Sequence, residues 1–139
     1  GYLNEPPLAL REGQYFMTGD TVRVDDDGYI SIVGRSKDMF ISGGENVYPA
    51  EVERVLATHP AIRGVAVVGV SDSKWGEVGR AYIETRLESS EAHLADLRFW
   101  AREHLAAYKV PKEFVVVDNL PRNATGKVQK HLLPKESNP

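Results

Sequence analysis

Apolar and polar residues alternate on both sides of an acidic turn near the start of the chain. The alternation runs through Thr21–Val24 and through Tyr29–Val33, with Asp25–Gly28 between them. Period-two alternation is typical of strands, and a glycine in the connection supplies the positive φ that a tight turn needs. The pattern predicts a β-hairpin. A lone hairpin is marginal in water, and Gly1–Asp20 has no periodic apolar face, so we expect this segment to belong to a larger body.

From Ser36 onward the pattern indicates a compact unit. A short strand is predicted at Met39–Ile41, ending in the glycine turn Ser42–Gly44. A short helix follows it, because Pro49 suits a first helical turn and apolar residues recur at helical spacing until His59-Pro60. The residues of that apolar stripe are Val52, Val55 and Leu56.

Two runs rich in β-branched residues predict a pair of strands after this helix. They are Val65–Val70 and Ala81–Leu87, and the residues between them, Ser71–Arg80, predict a loop. Helical spacing returns between about Glu91 and Ala107, which predicts the longest helix. Its apolar positions are Leu94, Leu97, Ala101, His104 and Leu105.

A last buried strand is predicted at Phe114–Val117, followed by a loop with proline and glycine at Leu120–Lys127 and a short helical turn. The element order predicts an α+β fold, a small mixed sheet flanked by helices and preceded by the hairpin. We therefore divide the chain into two parts, residues 1–35 and residues 36–139.

Composition excludes several classes of protein. The 139 residues are 42% apolar and 27% charged, without cysteine. There is no run of about 18 apolar residues and no signal-peptide pattern, so we expect neither a membrane span nor a secreted disulfide scaffold. The expected location is the cytoplasm, with peripheral attachment to a membrane left open. The net charge is −3, yet residues 100–139 carry a basic surplus that suits a small phosphorylated ligand better than a nucleic acid.

Lys127 is the leading catalytic candidate on local chemistry. It follows a glycine in the loop Pro121–Lys127, where a mobile ammonium group can reach a phosphate. The alternative is a solvated lysine after a type II turn. The spacing of glycines excludes a Walker phosphate loop.

Asp20 and Arg35 bracket the hairpin. A carboxylate after a glycine can accept hydrogen bonds from two ribose hydroxyls, or Asp20 is simply a turn residue. Arg35 is either a ligand contact or a surface ion pair of little energetic value.

Four motifs in one order carry a specific resemblance. They are Tyr-x-x-Thr-Gly-Asp at 15–20, Gly-Arg-x-Lys-Asp at 34–38, Ile-Ser-Gly-Gly-Glu-Asn-Val-Tyr-Pro-Ala-Glu-Val-Glu at 41–53, and Pro-Arg-Asn-x-Thr-Gly-Lys at 121–127. The chain resembles the adenylate-forming ligase superfamily, in particular its acyl-CoA synthetases. The resemblance implies that residues 1–35 end a large N-terminal AMP-binding domain and that residues 36–139 form the small C-terminal lid domain.

The resemblance also implies roles for residues of the nucleotide site. Asp20 is similar to the family's ribose-hydroxyl acceptor, and Arg35 to an arginine on the ribose or phosphate side. Lys127 is similar to the lysine that bridges the carboxylate substrate and the α-phosphate during adenylation, where it stabilises negative charge. Lys37 falls at the hinge about which the small domain rotates between two half-reactions.

After that rotation, the resemblance implies, a second set of residues binds CoA. The turn residues Gly43, Gly44 and Glu45 line the pantetheine tunnel, where a side chain at Gly44 would fill the passage. Two aromatic residues, Trp75 and Tyr108, lie at positions that contact the CoA arm and its adenine. Lys109 and Lys112 would attract the CoA phosphates.

We expect no metal site in this chain. His59, His93, His104 and His131 show no metal-ligand spacing, and His104 is predicted to be a core or boundary residue. Magnesium is expected with ATP, held mainly by the phosphates and the absent N-terminal domain.

The favoured hypothesis is the C-terminal fragment of an acyl-CoA synthetase that converts a carboxylic acid, a fatty acid by preference, to acyl-AMP with ATP and then to acyl-CoA. The family's phosphate loop, adenine pocket and acyl pocket do not occur in this sequence, so the fragment alone is expected to be inactive. Two alternatives stay open: the end of a peptide-synthetase adenylation domain, which hands the acyl group to a carrier protein, and a non-catalytic module that binds CoA or a protein.

Overall fold

The computed structural model describes the backbone of residues 18–85 and 91–135, and their side chains except those of 91–94. Several predictions therefore lie outside the described residues. These are the lack of a core in residues 1–17, the first motif before Thr18, the strand end at 86–87 and the side chains of His93 and Leu94.

The predicted hairpin is present. Strand β1 (Asp20–Val24) pairs antiparallel with β2 (Ile30–Arg35). The Asp25 carboxylate closes the turn by accepting hydrogen bonds from the amides of Asp27 (3.1 Å) and Tyr29 (2.9 Å). Gly28 adopts the positive φ, 85°, that the sequence predicts there.

The rest of the described chain forms a five-stranded mixed sheet with two helices, which confirms the α+β prediction. Its strands are β3 (Phe40–Ser42), β4 (Glu45–Val47), β5 (Ile62–Asp72), β6 (Gly76–Thr85) and β7 (Glu113–Val116). The helices are α1 (Pro49–Leu56) and α2 (Glu91–His104). Short 3-10 turns lie at Ser36–Asp38, Ala107–Lys109 and Lys130–Leu132.

Strand β6 is the centre of the sheet. Its whole length pairs antiparallel with β5. Its other edge meets β3 at Gly76 and then pairs in parallel with β7 from Arg80 to Ile83. Strand β4 extends the sheet beyond β3. The parallel pair makes the sheet mixed, as predicted.

Both faces of the β5–β6 pair are buried. One face packs under α1 and α2 in a cluster that includes Leu56, Val67, Ile83 and Leu97. The other face is covered by the C-terminal segment, whose Leu120 and Leu133 pack on a second buried cluster. Strands buried on both faces are rich in β-branched residues rather than alternating, which is why Val65–Val70 is a continuous apolar run.

The structure corrects four boundaries. The predicted loop Ser71–Arg80 is wrong for most of its length, because β5 and β6 continue through it and only residues 73–75 form the turn. Strand β4 was not predicted, since three residues are too few to show a period. The first helix ends at Leu56 rather than at His59-Pro60, and the second ends at His104 instead of Ala107.

The helix-facing side of the sheet has a gap at a cross-strand glycine pair. Gly69 and Gly79 lie opposite each other, and the Phe40 side chain fills the space that their missing side chains leave. A Cβ added at Gly69 would lie 2.6 Å from Phe40 Cβ, whereas one added at Gly79 would meet Phe40 Cζ and Pro111 at an ordinary 3.4 Å.

Gly69→Ala should lower the free energy of unfolding by about 1–3 kcal/mol, because Phe40 Cβ is attached directly to the backbone of β3 and cannot move away from the new methyl group. Gly79→Ala is the matched control and should cost clearly less. Urea unfolding monitored by circular dichroism measures both. Equal losses in the two variants would contradict this account of the gap.

Candidate functional site

The loop that carries Lys127 is held in one conformation by its own hydrogen bonds. Asn123 Oδ1 accepts hydrogen bonds from Thr125 N, Thr125 Oγ1 and Lys127 N at 3.1, 2.7 and 2.9 Å. The amide of Gly126 bonds Asn123 O at 2.9 Å, and an isolated bridge pairs Arg122 with Val128. These bonds restrain the loop backbone, and the Lys127 side chain, which is the part predicted to reach a phosphate, is exposed.

The turn before Lys127 is not the type II turn named in the alternative hypothesis, whereas the exposed lysine that this alternative expects is observed. A type II turn needs its glycine at the third position, but Gly126, with φ 84°, is the fourth residue of the turn that starts at Asn123. Asparagine first and glycine fourth are the preferences of a type I turn. The turn thus presents Lys127 directly after its closing residue.

A buried carboxylate holds the base of this loop. Glu84 in β6 is 5% exposed; its Oε1 accepts the amide of Leu120 at 2.6 Å and its Oε2 accepts Arg122 at 3.2 Å. Burial opposes ionisation of Glu84, but the Leu120 amide and the Arg122 guanidinium outweigh it and lower the pKa of the carboxyl. Sequence reasoning missed Glu84, because one acid in an apolar strand gives no signal of its partner.

A second carboxylate holds the segment after the loop. Glu53 in α1 accepts a hydrogen bond from the Val67 amide at 2.7 Å and pairs with Lys130 Nζ at 2.6 Å. Burial raises the pKa of Glu53 in spite of these partners. Helix α1 thereby fixes the chain three residues beyond Lys127.

The residues predicted to bind nucleotide meet at one place. Asp20 and Arg35 are cross-strand partners, and their side chains form an ion pair at 3.4 Å. Arg35, the exposed Lys37 and Lys127 line one cleft of about 330 Å³, together with Lys130 and His131. We call this the lysine cleft. Its lining holds more basic residues than acidic ones, of which Asp38 is the one in the lining, and so suits an anionic ligand.

Two of the residues predicted to bind CoA, Trp75 and Tyr108, line a separate groove. Trp75, Tyr108, Val78 and Lys112 line an apolar groove of about 330 Å³, which we call the aromatic groove. Trp75 and Tyr108 are 42% and 41% exposed, so both rings are open to a ligand. Trp75 is fixed by its turn, where the Asp72 carboxylate accepts the amides of Lys74 and Trp75 at 2.9 and 2.8 Å. These amides and Lys112 lower the pKa of Asp72.

The glycine turn lies beside this groove, against the Trp75 ring. Gly43 and Gly44 connect β3 and β4 with φ of 59° and 89°, as the two central positions of a type I′ hairpin turn require. A Cβ at Gly43 would lie 2.7 Å from the Trp75 ring, but one at Gly44 would meet nothing within 4 Å. Gly43 is thus needed where the turn lies against Trp75, while the role of Gly44 in a pantetheine tunnel stays a prediction. Glu45 follows at the start of β4 and is exposed.

The basic residues near the groove differ in availability. Lys109 Nζ lies 2.7 Å from Glu51 Oε1 and is largely buried, so it does not face a phosphate in this arrangement. Lys112 is half exposed and pairs with Asp72 at 3.1 Å. Arg98 and Arg102 on α2, which sequence reasoning did not single out, line a wider cleft of about 560 Å³ with Lys112.

That wider cleft continues the aromatic groove. The two share Ala107, Val110 and Lys112. Arg98 and Arg102 are one helical turn apart, where two like charges disfavour the helix. Arg98 also lies over the Phe114 ring at 5.9 Å, and Arg102 is in the last turn of α2, where a positive charge favours the helix. Both guanidinium groups line this cleft and add positive charge to it.

Histidines and acids give no metal centre in the described part of the chain, residues 18–85 and 91–135, where no three metal-binding side chains cluster. His104, predicted to be a core or boundary residue, does not lie in the core: its ring is exposed and stacks on Trp100 at 3.9 Å. None of the described helices has the length and hydropathy needed to cross a bilayer.

Comparison with known families decides the classification. The family model "AMP-binding enzyme C-terminal domain" matches residues 51–127, more than half of the chain. The chain belongs to this family. The matched range begins in α1 and ends at Lys127, so it includes the aromatic groove and the lysine loop.

Relatives of this AMP-binding C-terminal domain are CoA ligases of several acids. The chain is 46% identical to a feruloyl-CoA synthase from Amycolatopsis over 94% of its length, and 41% identical to the medium-chain fatty-acid–CoA ligase of Escherichia coli over 98%. It superimposes on the o-succinylbenzoate CoA synthetase of Bacillus subtilis, solved with an acyl-adenylate intermediate, with TM-score 0.77 and 43% identity over 87% of the chain. The chain spans only 24–27% of the length of these proteins.

The two buried glutamates of this domain should give opposite pH dependences of stability. The lowered pKa of Glu84 means that its stabilising contribution is complete above the unfolded glutamate pKa of about 4.3 and is lost as the pH falls through the folded value. The raised pKa of Glu53 means that stability is lost as the pH rises from about 4.3 through its folded value.

Urea unfolding of the wild type, Glu84→Gln and Glu53→Gln between pH 3 and pH 7 tests both signs. The stability advantage of the wild type over Glu84→Gln should shrink as the pH falls below about 4.3. The stability of the wild type relative to Glu53→Gln should instead fall as the pH rises above about 4.3. Differences that do not vary with pH would contradict the two assignments.

Proposed function

We propose that this chain is the C-terminal part of an AMP-forming acyl-CoA ligase. In the first half-reaction a carboxylate oxygen of the acid attacks the α-phosphorus of ATP and pyrophosphate leaves. In the second, the CoA sulfur attacks the acyl carbon, the thiol proton is released and AMP leaves. The observation that carries the proposal is the presence, on one small domain, of two separate clefts with the chemistry that these two steps need.

The lysine cleft serves the first half-reaction in this proposal. The Lys127 ammonium stabilises the negative charge that develops on the α-phosphate as the carboxylate attacks. Asp20 accepts hydrogen bonds from the ribose hydroxyls, and Arg35 contacts the ribose or phosphate side. Their ion pair at 3.4 Å is compatible with this, because it orients the carboxylate while leaving it partly exposed.

The aromatic groove serves the second half-reaction. Trp75 and Tyr108 provide ring faces for the CoA arm and its adenine. Gly43 lets the β3–β4 turn approach the Trp75 ring, and Gly44 and Glu45 line the path of the pantetheine arm. The cationic end of the groove, with Lys112, Arg98 and Arg102, takes the CoA phosphates.

Lys37 is proposed as the hinge between residues 1–35 and residues 36–139. It lies in the exposed 3-10 turn between the hairpin and β3, where a change of a few backbone angles reorients the domain. The two clefts share no lining residue. A rotation about Lys37 would present them to one active centre in succession.

The acid substrate is chosen outside these residues. The relatives act on acids as different as ferulate and medium-chain fatty acids, so a fatty acid stays a prediction. Among the described residues no three metal-binding side chains cluster, and we expect the phosphates and the N-terminal domain to hold the metal of ATP. The expected location is the cytoplasm.

Lys127→Ala in the full-length ligase should lower the rate of pyrophosphate release by roughly 100- to 1,000-fold, since one preorganised charge at the reacting phosphate is lost. Conversion of preformed acyl-AMP to acyl-CoA should change little. Lys135→Ala, an exposed lysine eight residues further on, is the control. Unchanged pyrophosphate release in Lys127→Ala would refute the assignment, and the 139-residue chain alone should release none.

Arg102→Gln should raise the KM for CoA about tenfold and leave the KM for dephospho-CoA, which lacks the 3′-phosphate, nearly unchanged. Trp75→Ala should raise the KM for both thiols to a similar extent, because the ring contacts the parts that they share. Arg54→Gln, outside both clefts, is the control.

Steady-state kinetics with the two thiols and with a phosphopantetheine carrier protein provide the measurement. A wild-type preference for the carrier protein would favour a peptide-synthetase adenylation domain. Binding of CoA without any ligase activity would favour a non-catalytic module.

A further inference from the structure

A chain of hydrogen bonds, which we call the relay, leads from a buried carboxylate of the sheet to the peptide group before Lys127. Glu84 Oε2 accepts a hydrogen bond from Arg122 NH2 at 3.2 Å, and Arg122 NH1 donates to Gly126 O at 3.2 Å. Gly126 immediately precedes Lys127. One guanidinium group therefore connects a buried carboxylate with the peptide group that precedes the lysine.

The relay requires the planar fork of arginine. Two nitrogens of one guanidinium donate in different directions, to a carboxylate on one side and to a carbonyl on the other. A lysine at position 122 could keep the charge near Glu84 but could not hold both partners in the same geometry. Loss of this relay would free the loop tip without removing the charge pair.

The strand opposite Glu84 makes room for the relay. Gly64 is the cross-strand partner of Glu84, and a Cβ at Gly64 would collide with the Glu84 carboxylate and come within 3.0 Å of Arg122 NH2. Arg63 also approaches Glu84, at 3.8 Å, but it donates its hydrogen bond to Asp118 O and not to the loop. Arg122 is thus the contact of Glu84 that reaches the lysine loop.

We propose that Glu84 and Arg122 are positioning residues for the Lys127 ammonium in the adenylation half-reaction. The inference rests on the proposed function, because it assumes that Lys127 acts on the α-phosphate. Glu84 is buried and does not touch substrate, so it acts through Arg122. A shift of about 1 Å in a reacting group can cost about 100-fold in rate, which sets the scale of the effect.

The test compares Glu84→Gln, Arg122→Lys and the control Arg63→Gln in the full-length ligase. Glu84→Gln and Arg122→Lys should lower kcat for pyrophosphate release by roughly 10- to 100-fold. They should leave the conversion of preformed acyl-AMP to acyl-CoA within about twofold, which general unfolding would not do. Arg63→Gln should leave both rates within about twofold.

A second readout uses hydrogen exchange of the 139-residue chain. The Gly126 and Lys127 amides should exchange at least tenfold faster in Glu84→Gln and Arg122→Lys, while amides of β5 and β6 keep their protection. Equal loss of both half-reactions, or unchanged exchange at Gly126 and Lys127, would overturn the positioning role.

Lys127→Ala separates this proposal from the proposed function. If Lys127→Ala leaves pyrophosphate release unchanged, the proposed function fails and the positioning role fails with it. If Lys127→Ala is slow and the Glu84 and Arg122 variants are as fast as the wild type, only the positioning role fails. In the double variant Glu84→Gln/Lys127→Ala, the rate should equal that of Lys127→Ala alone, because the relay has nothing left to position.

Discussion

The antiparallel pairing of β5 with β6 is the constraint on which the other parts of the domain depend. Strand β6 holds a different functional segment at each end. At Gly76 it meets β3 beside the glycine turn and Trp75, and at Glu84 it holds the base of the lysine loop. A one-residue slip of the pairing would turn both sets of side chains to the wrong face of the sheet. The register of β5 with β6 therefore determines the geometry of both clefts.

The separation of these two anchor points follows from strand geometry. Gly76 and Glu84 are eight residues apart, and an extended strand rises about 3.3 Å per residue, so the anchors are roughly 26 Å apart. A side chain cannot span that distance. Under the proposed function, this separation is compatible with a movement of the domain that presents the two clefts in succession. The sheet, buried on both faces, is rigid enough to be moved in that way.

The buried carboxylate of Glu84 explains how a loop on the protein surface is held against the sheet. An ionised carboxylate inside a protein is costly unless hydrogen bonds and opposite charges compensate it. Glu84 obtains that compensation from the Leu120 amide and Arg122, which both belong to the segment leading into the lysine loop. Moving this segment away would leave the Glu84 carboxylate buried and unpaired, which is costly in free energy, so the pairing stabilises the segment in this position. On the same face of the sheet, Arg80 and Tyr82 bond the carbonyl of Pro134 and fix the end of the C-terminal segment.

Features of the fold and of the candidate site could be predicted from the sequence where residues close together in the chain specify them. The hairpin and the helices have periods of two and 3.6 residues, and the main strands contain runs rich in β-branched residues, so the local pattern predicted these elements. The motif residues Asp20, Arg35 and Lys127 could be predicted as site residues because their resemblance to a family is local too. The contacts of Glu84 with Arg122 and of Glu53 with Lys130 join residues 38 and 77 positions apart, and one sequence holds no record of which distant residues meet. The need for glycine at Gly43 beside Trp75 has the same origin: both glycines satisfy the turn, and only the packed position of Trp75 distinguishes them.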